Sequence, residues 1–186
     1  MAQQRARKIA VVGSRAVGKS SMTVQFVEQH FVESYYPTIE NQFSKTIVYK
    51  GIEYNTEIID TAGQDEFSIM NQKHLLGVHG YLLVYSVTSR STFDVLPIIH
   101  DKILNATGSS SIPLVIVGNK SDLDSQRQVS VEEAKELAAS WGGAFVETSA
   151  RDGTNVAKAF ELLVEEIEKT QNKSDPAAQN KNCVIM

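Results

Sequence analysis

Residues 8–20, KIAVVGSRAVGKS, decide the fold. Ile9 to Val12 form a short apolar run closed by Gly13, the pattern of a strand buried on both faces. Gly13, Gly18, Lys19 and Ser20 then satisfy G-x-x-x-x-G-K-[ST]. The following SSMTVQFVEQHF has helical character, so the motif joins a strand to a helix N-terminus. Amides of Ser14, Arg15, Ala16, Val17, Gly18, Lys19, Ser20 and Ser21, with the positive helix end, can surround a phosphate chain. Lys19 can bridge two phosphates as a point charge, and the Ser20 hydroxyl can reach Mg²⁺. Arg15 is unexpected in a loop that lets backbone approach phosphate.

Outward from this stretch, strands alternate with helices. NQFSKTIVYK and IEYNTEIIDTAG show partial apolar alternation, and only Lys50 and Gly51 separate their cores, which predicts a hairpin. GYLLVYSV, IPLVIVGNK and GAFVETSA are three further strand candidates, six in all. VEEAKELAASW and TNVAKAFELLVEEIEKT have helical spacing, with Val156, Phe160, Leu163 and Ile167 on one stripe. The order predicts an α/β domain: a mixed, mostly parallel sheet with one antiparallel edge strand and helices on both faces. STFDVLPIIHDKILNATG conflicts with itself. Ser91 offers a helix N-cap, yet Pro97 falls past the first turn, so a kink or a later start is expected.

Composition narrows the function classes. The 186 residues suit one domain with a sizeable core, and 42% hydrophobic with 22% charged residues is ordinary for a globular chain. A net charge of −4 argues against a dedicated nucleic-acid binder. One cysteine, Cys183, excludes an internal disulfide. No apolar run approaches the roughly 20 residues that span a bilayer, and MAQQRARKIA lacks the apolar core of a secretory signal.

Two further motifs define the ligand. DTAGQ begins at Asp60, at the end of a predicted strand, where a carboxylate can hold Mg²⁺ directly or through water. Gly63 lets an amide approach the terminal phosphate, and Gln64 is placed to orient an attacking water. GNKSD supplies Asn119, Lys120 and Asp122 after the strand IPLVIV. A carboxylate only accepts hydrogen bonds, and guanine presents two neighbouring N–H donors where adenine does not. A buried Asp122 is therefore matched by guanine, which favours GTP over ATP. TSAR, with Ser149, Ala150 and Arg151, ends the next strand and can add backbone donors to the guanine carbonyl.

Residues 13–20, 60–64, 119–122 and 149–151 together resemble the nucleotide motifs of the Ras superfamily, over about residues 6–170 plus the extreme C-terminus. YYPTIEN, DTAGQDEFSI and the loop arginine are similar to the branch whose members act on the TOR kinase complex. The resemblance implies a P-loop G domain over 1–170; the polar, pattern-free QNKSDPAAQNKNCVIM over 171–186 is expected to be a flexible tail. It implies a monomeric GTPase using Mg²⁺, with Ser20, Thr38 and Asp60 about the metal. Gln64, Lys19 and Thr38 would serve catalysis, with Arg15 modulating it. Phe31 and Val32 would lie by the guanine, and Tyr35 would close over the phosphates. Tyr35, Tyr36, Pro37, Thr38, Ile39, Glu40 and Asn41 would form the effector surface. Tyr36 stands where aspartate is usual, and Arg151 where lysine is common. A tuberin-type GTPase-activating complex is the implied regulator. The alternatives are another Ras-like GTPase with different effectors and a nearly non-hydrolysing GTP-bound scaffold, which Gln64 and Thr38 oppose.

The chain ends CVIM, a C-a-a-X sequence that would make Cys183 a substrate of farnesyltransferase. One lipid chain gives only marginal anchoring. The tail adds only Lys173 and Lys181 and no second cysteine, so reversible binding to the cytoplasmic face of endomembranes, exchanging with cytosol, is expected. Arg15 has two opposed readings, beside the bland one of a solvated arginine without effect on hydrolysis. It acts as an arginine finger in cis, or its bulk displaces Gln64 and blocks a finger supplied in trans. The second is favoured, because a side chain from this loop's rim points toward the segment after Gly63.

Overall fold

Strand β1 (Gln4–Gly13) lies inside a six-stranded sheet in the computed structural model, which describes residues 4–34, 38–63 and 75–174. Its partners are β3 (Ile52–Thr61) and β4 (Gly80–Ser86), both parallel to it. β5 (Leu114–Asn119) and β6 (Ala144–Glu147) extend the parallel sheet beyond β4. β2 (Glu40–Tyr49) pairs antiparallel with β3 and forms the edge, giving the order β2-β3-β1-β4-β5-β6. The expected hairpin is present: Tyr49 faces Ile52, and Lys50 and Gly51 both take positive φ, 49° and 75°. Two such residues in succession make the type I′ turn, whose twist matches that of the flanking strands.

Side-chain alternation along β1 splits the core in two. Ile9 and Val11 face α1 (Lys19–Glu28) and α5 (Val156–Ser174), meeting Met22, Phe26, Phe160 and Leu163. Ala10 and Val12 face α3 (Leu96–Thr107) and α4 (Val131–Ser140), meeting Leu96, Ile99, Ile103 and Ala134. Strands covered on both sides bury every position, so β4 and β5 are buried throughout. The predicted stripe on α5 is the buried one: Val156, Phe160, Leu163 and Ile167 are at most 3% exposed.

The interruption expected at Pro97 is present, and three boundaries differ from the sequence expectations. The conflict at Pro97 is resolved by a break: α2 (Arg90–Asp94) ends, Val95 intervenes, and α3 begins at Leu96 with Pro97 in its first turn. There a missing N–H costs nothing, since first-turn amides have no partner within the helix. The N-cap of α2 is Ser89, not Ser91. Helix α1 stops at Glu28 because Gln29 turns left-handed (φ 58°) and its N–H bonds back to Gln25 O at 3.1 Å, leaving His30 and Phe31 outside. At the other end, α5 continues through 171–174, four residues into the segment expected as tail.

This topology places the loops after β1, β3, β5 and β6 at one end of the sheet. Crevices outside the carboxyl ends of parallel strands are where open α/β sheets bind ligands.

Candidate nucleotide-binding site

The four loops enclose a cavity of about 540 Å³. Arg15, Ala16, Gly18, Lys19, Ser20 and Ser21 line its phosphate end, with Thr38 and Gly63 beside them. Phe31, Val32, Asn119, Lys120, Asp122, Ala150 and Arg151 line its other end. Motifs separated by more than a hundred residues thus share one space, as the sequence predicted. Glu33, Ser34 and Leu123 also line it and escaped the sequence reading, because no motif marks them. Tyr35, Tyr36, Pro37, Gln64 and Cys183 lie outside the described residues.

Glycine at position 18 is required by geometry. It adopts φ 95°, and a Cβ there would sit 2.2 Å from Asn119 Nδ2. The loop curls around the lysine that it precedes: Lys19 Nζ donates to Gly13 O at 3.1 Å and Ser14 O at 2.8 Å. Burial pulls the Lys19 pKa down to about 8, a shift that nearby Asp60 only partly offsets. Burial likewise raises the Asp60 pKa, opposed by the Ser20 hydroxyl and by Lys19. A polyanion held with a divalent cation favours the charged form of both groups.

The three expected metal ligands meet. Ser20 Oγ lies 2.6 Å from Asp60 Oδ2 and 2.6 Å from Thr38 Oγ1. Ser20 donates to the carboxylate and therefore accepts from Thr38. Asp60 is fully buried, and its Oδ1 has no hydrogen-bond partner. A buried carboxylate oxygen without a donor is costly, and a cation satisfies it. Two hydroxyls and one carboxylate suit a hard, oxygen-seeking ion that keeps waters and shares phosphates, as Mg²⁺ does. No cluster of three or more His, Cys, Asp or Glu among the described residues offers a metal site complete in itself.

At the far end, Asn119 is a staple. Its Nδ2 donates to Val17 O at 2.8 Å, and its Oδ1 accepts from Thr148 Oγ1 at 3.0 Å and Ala150 N at 3.2 Å. Lys120 Nζ donates to Ala16 O at 2.7 Å, a second strap onto the phosphate loop, and burial lowers its pKa. Asp122, expected to be buried, is exposed at the cavity surface, where Ser149 Oγ donates to its Oδ1 at 2.8 Å. The Ser149 and Ala150 amides, expected to face the base, bond within the protein to Thr154 O and Asn119 Oδ1. Asp122 is thus open to a ligand in the cavity.

The expected effector segment is described only in part. Ile39 is 91% exposed, an unusual position for a large apolar side chain, and Glu40 and Asn41 open β2. Arg15 is exposed at the cavity rim and stacked against Gly63.

The model of the Ras family matches residues 8–169. GTP-binding protein rhb1 of Schizosaccharomyces pombe is 63% identical over the full length of both chains. Small monomeric GTPase RhbA of Aspergillus fumigatus is 61% identical over 97% of this chain and 96% of its own. Human GTP-binding protein Rheb is 48% identical over the full length of both. With its phosphate loop, its two nucleotide motifs and this similarity, the chain belongs to the Ras family and is a Rheb-type small GTPase, a hydrolase of GTP.

Proposed function

We propose that this chain is a Mg²⁺-dependent switch that signals to the TOR kinase complex when GTP is bound and is turned off by a tuberin-type GTPase-activating complex. The observation that carries the switch is the Ser20–Thr38–Asp60 cluster. Thr38 reaches the metal position from within the expected effector segment, so the cation and terminal phosphate bear directly on that surface. Mg²⁺ supplies charge neutralisation of the phosphates when bound.

In hydrolysis, water attacks the γ-phosphorus and the bond to the β-phosphate oxygen breaks, giving GDP and phosphate. Lys19 holds the phosphates, Gln64 orients the water, and Gly63 offers its amide to the γ-phosphate. Loss of that phosphate releases the segment that carries Thr38 and the one that follows Gly63, and with them the effector surface Tyr35–Asn41. Arg15 slows the intrinsic reaction by occupying the space beside Gly63. Farnesylation of Cys183 brings the protein reversibly to the cytoplasmic face of endomembranes.

The decisive experiment loads the purified protein with a non-hydrolysable GTP analogue or with GDP and adds each to purified TOR kinase complex. Stimulation by the GTP form alone is expected. Equal stimulation by both forms, or none by either, would sink the TOR assignment while leaving nucleotide binding intact.

A further inference from the structure

We infer that Lys45, on edge strand β2, is a positioning residue for the nucleotide, acting as a pin that holds both ends of the segment 29–39. Its Nζ donates to Phe26 O at 2.7 Å and Val27 O at 3.4 Å, the last-turn carbonyls of α1. Those carbonyls have no partner within the helix. α1 carries no basic residue in its own last turn, so the cation that complements its negative end comes from another element. The same ammonium sits 5.0 Å from the centre of the Phe26 ring, and that ring stacks on Phe160 of α5 at 4.0 Å. Lys45 thus makes three contacts with the end of α1.

Its place in the chain gives this contact its consequence. α1 begins at Lys19 and Ser20, beside the phosphates, and ends where the segment 29–39 begins. β2 begins where that segment ends. Between the two, Phe31, Val32 and Thr38 line the nucleotide cavity. A strand residue bonded to the helix end fixes the separation of the two anchor points. It thereby restricts how far those three residues can swing from the ligand.

The test measures release of a fluorescent GDP from the full-length protein with Mg²⁺. Lys45→Met keeps the aliphatic stem over Phe26 and loses the ammonium; release about threefold to tenfold faster than wild type is expected. Lys45→Arg restores a cationic donor and should return the rate to within about twofold. Lys50→Met is the control, since Lys50 lies over Tyr49 in the same hairpin; its rate should be that of wild type. Hydrogen exchange in Lys45→Met should quicken over residues 29–39 and stay unchanged over β5. Wild-type release from Lys45→Met, an equal acceleration by Lys50→Met, or a uniform rise in exchange would overturn the inference and reduce Lys45 to a stabilising contact.

Discussion

Gly63 packs against Arg15 so tightly that a Cβ on Gly63 would lie 2.2 Å from Arg15 Cγ, 2.6 Å from its Cα and 2.8 Å from its backbone nitrogen. The unusual residue of the phosphate loop and the glycine of the second nucleotide motif thus meet in one contact. Gly63→Ala forces the two loops apart. Affinity for a GTP analogue is expected to fall at least about tenfold more than affinity for GDP, because the Gly63 amide is expected to meet the γ-phosphate, which GDP lacks. Truncating Arg15 as well should not restore it, since two of the three clashing atoms are backbone.

Arg15→Gly removes the side chain lying over Gly63. Intrinsic single-turnover hydrolysis of GTP is expected to rise, because the space beside the attacking water is cleared. A marked fall would instead show that the guanidinium stabilises the transition state in cis.

Asp122→Asn exchanges one of two acceptor oxygens for a donor at the position expected to read two guanine N–H groups. GTP affinity should fall at least about 100-fold, the scale of two hydrogen bonds to a charged group. Xanthosine triphosphate, with a carbonyl in place of the 2-amino group, should gain affinity. Equilibrium competition between the two nucleotides measures both changes.

The oxygen cluster predicts how metal removal acts. Chelating Mg²⁺ with EDTA should speed GDP release from wild type by at least about tenfold, the worth of one charge-assisted contact. Ser20→Ala should already release quickly and respond little to EDTA. Equal EDTA responses in the two proteins would remove Ser20 from the metal site.

His79 predicts a pH effect on stability. Its Nδ1 accepts the Lys8 N–H at 2.9 Å, and burial, with Arg7 nearby, lowers its pKa below the ordinary 6.5. The folded state therefore favours the neutral ring. The contribution is fully present above about pH 6.5 and is lost as pH falls through that value toward the lowered pKa. Urea unfolding between pH 7.5 and 5.5 should show a smaller acid loss in His79→Gln, whose amide oxygen can still accept from Lys8. His100, also lowered by burial, remains in both proteins and cancels from the comparison.

Much of this was legible in the chain. The strand runs, the glycine-punctuated loop, the two-residue hairpin and the α5 stripe depend on local pattern, and all six strands stand where their apolar runs lie. The nucleotide motifs were legible because phosphate and guanine recognition demand particular donors and acceptors at fixed spacings. The break at Val95 was foreseen as a conflict, but not which side of Pro97 would yield.

Local pattern determined which elements form and which ligand the motifs suit; the tertiary structure decided how those residues act. Asn119 was expected in the binding motif, yet only folding brings it against Val17, 102 positions away, and makes it a staple between loops. Asp60, Ser20 and Thr38 become one metal-seeking cluster because β3 pairs with β1 and the segment before β2 returns over α1. Lys45 carried no motif at all. Its role exists because an edge strand passes the end of a helix that lacks its own cation, a relation between elements that no spacing along the chain encodes.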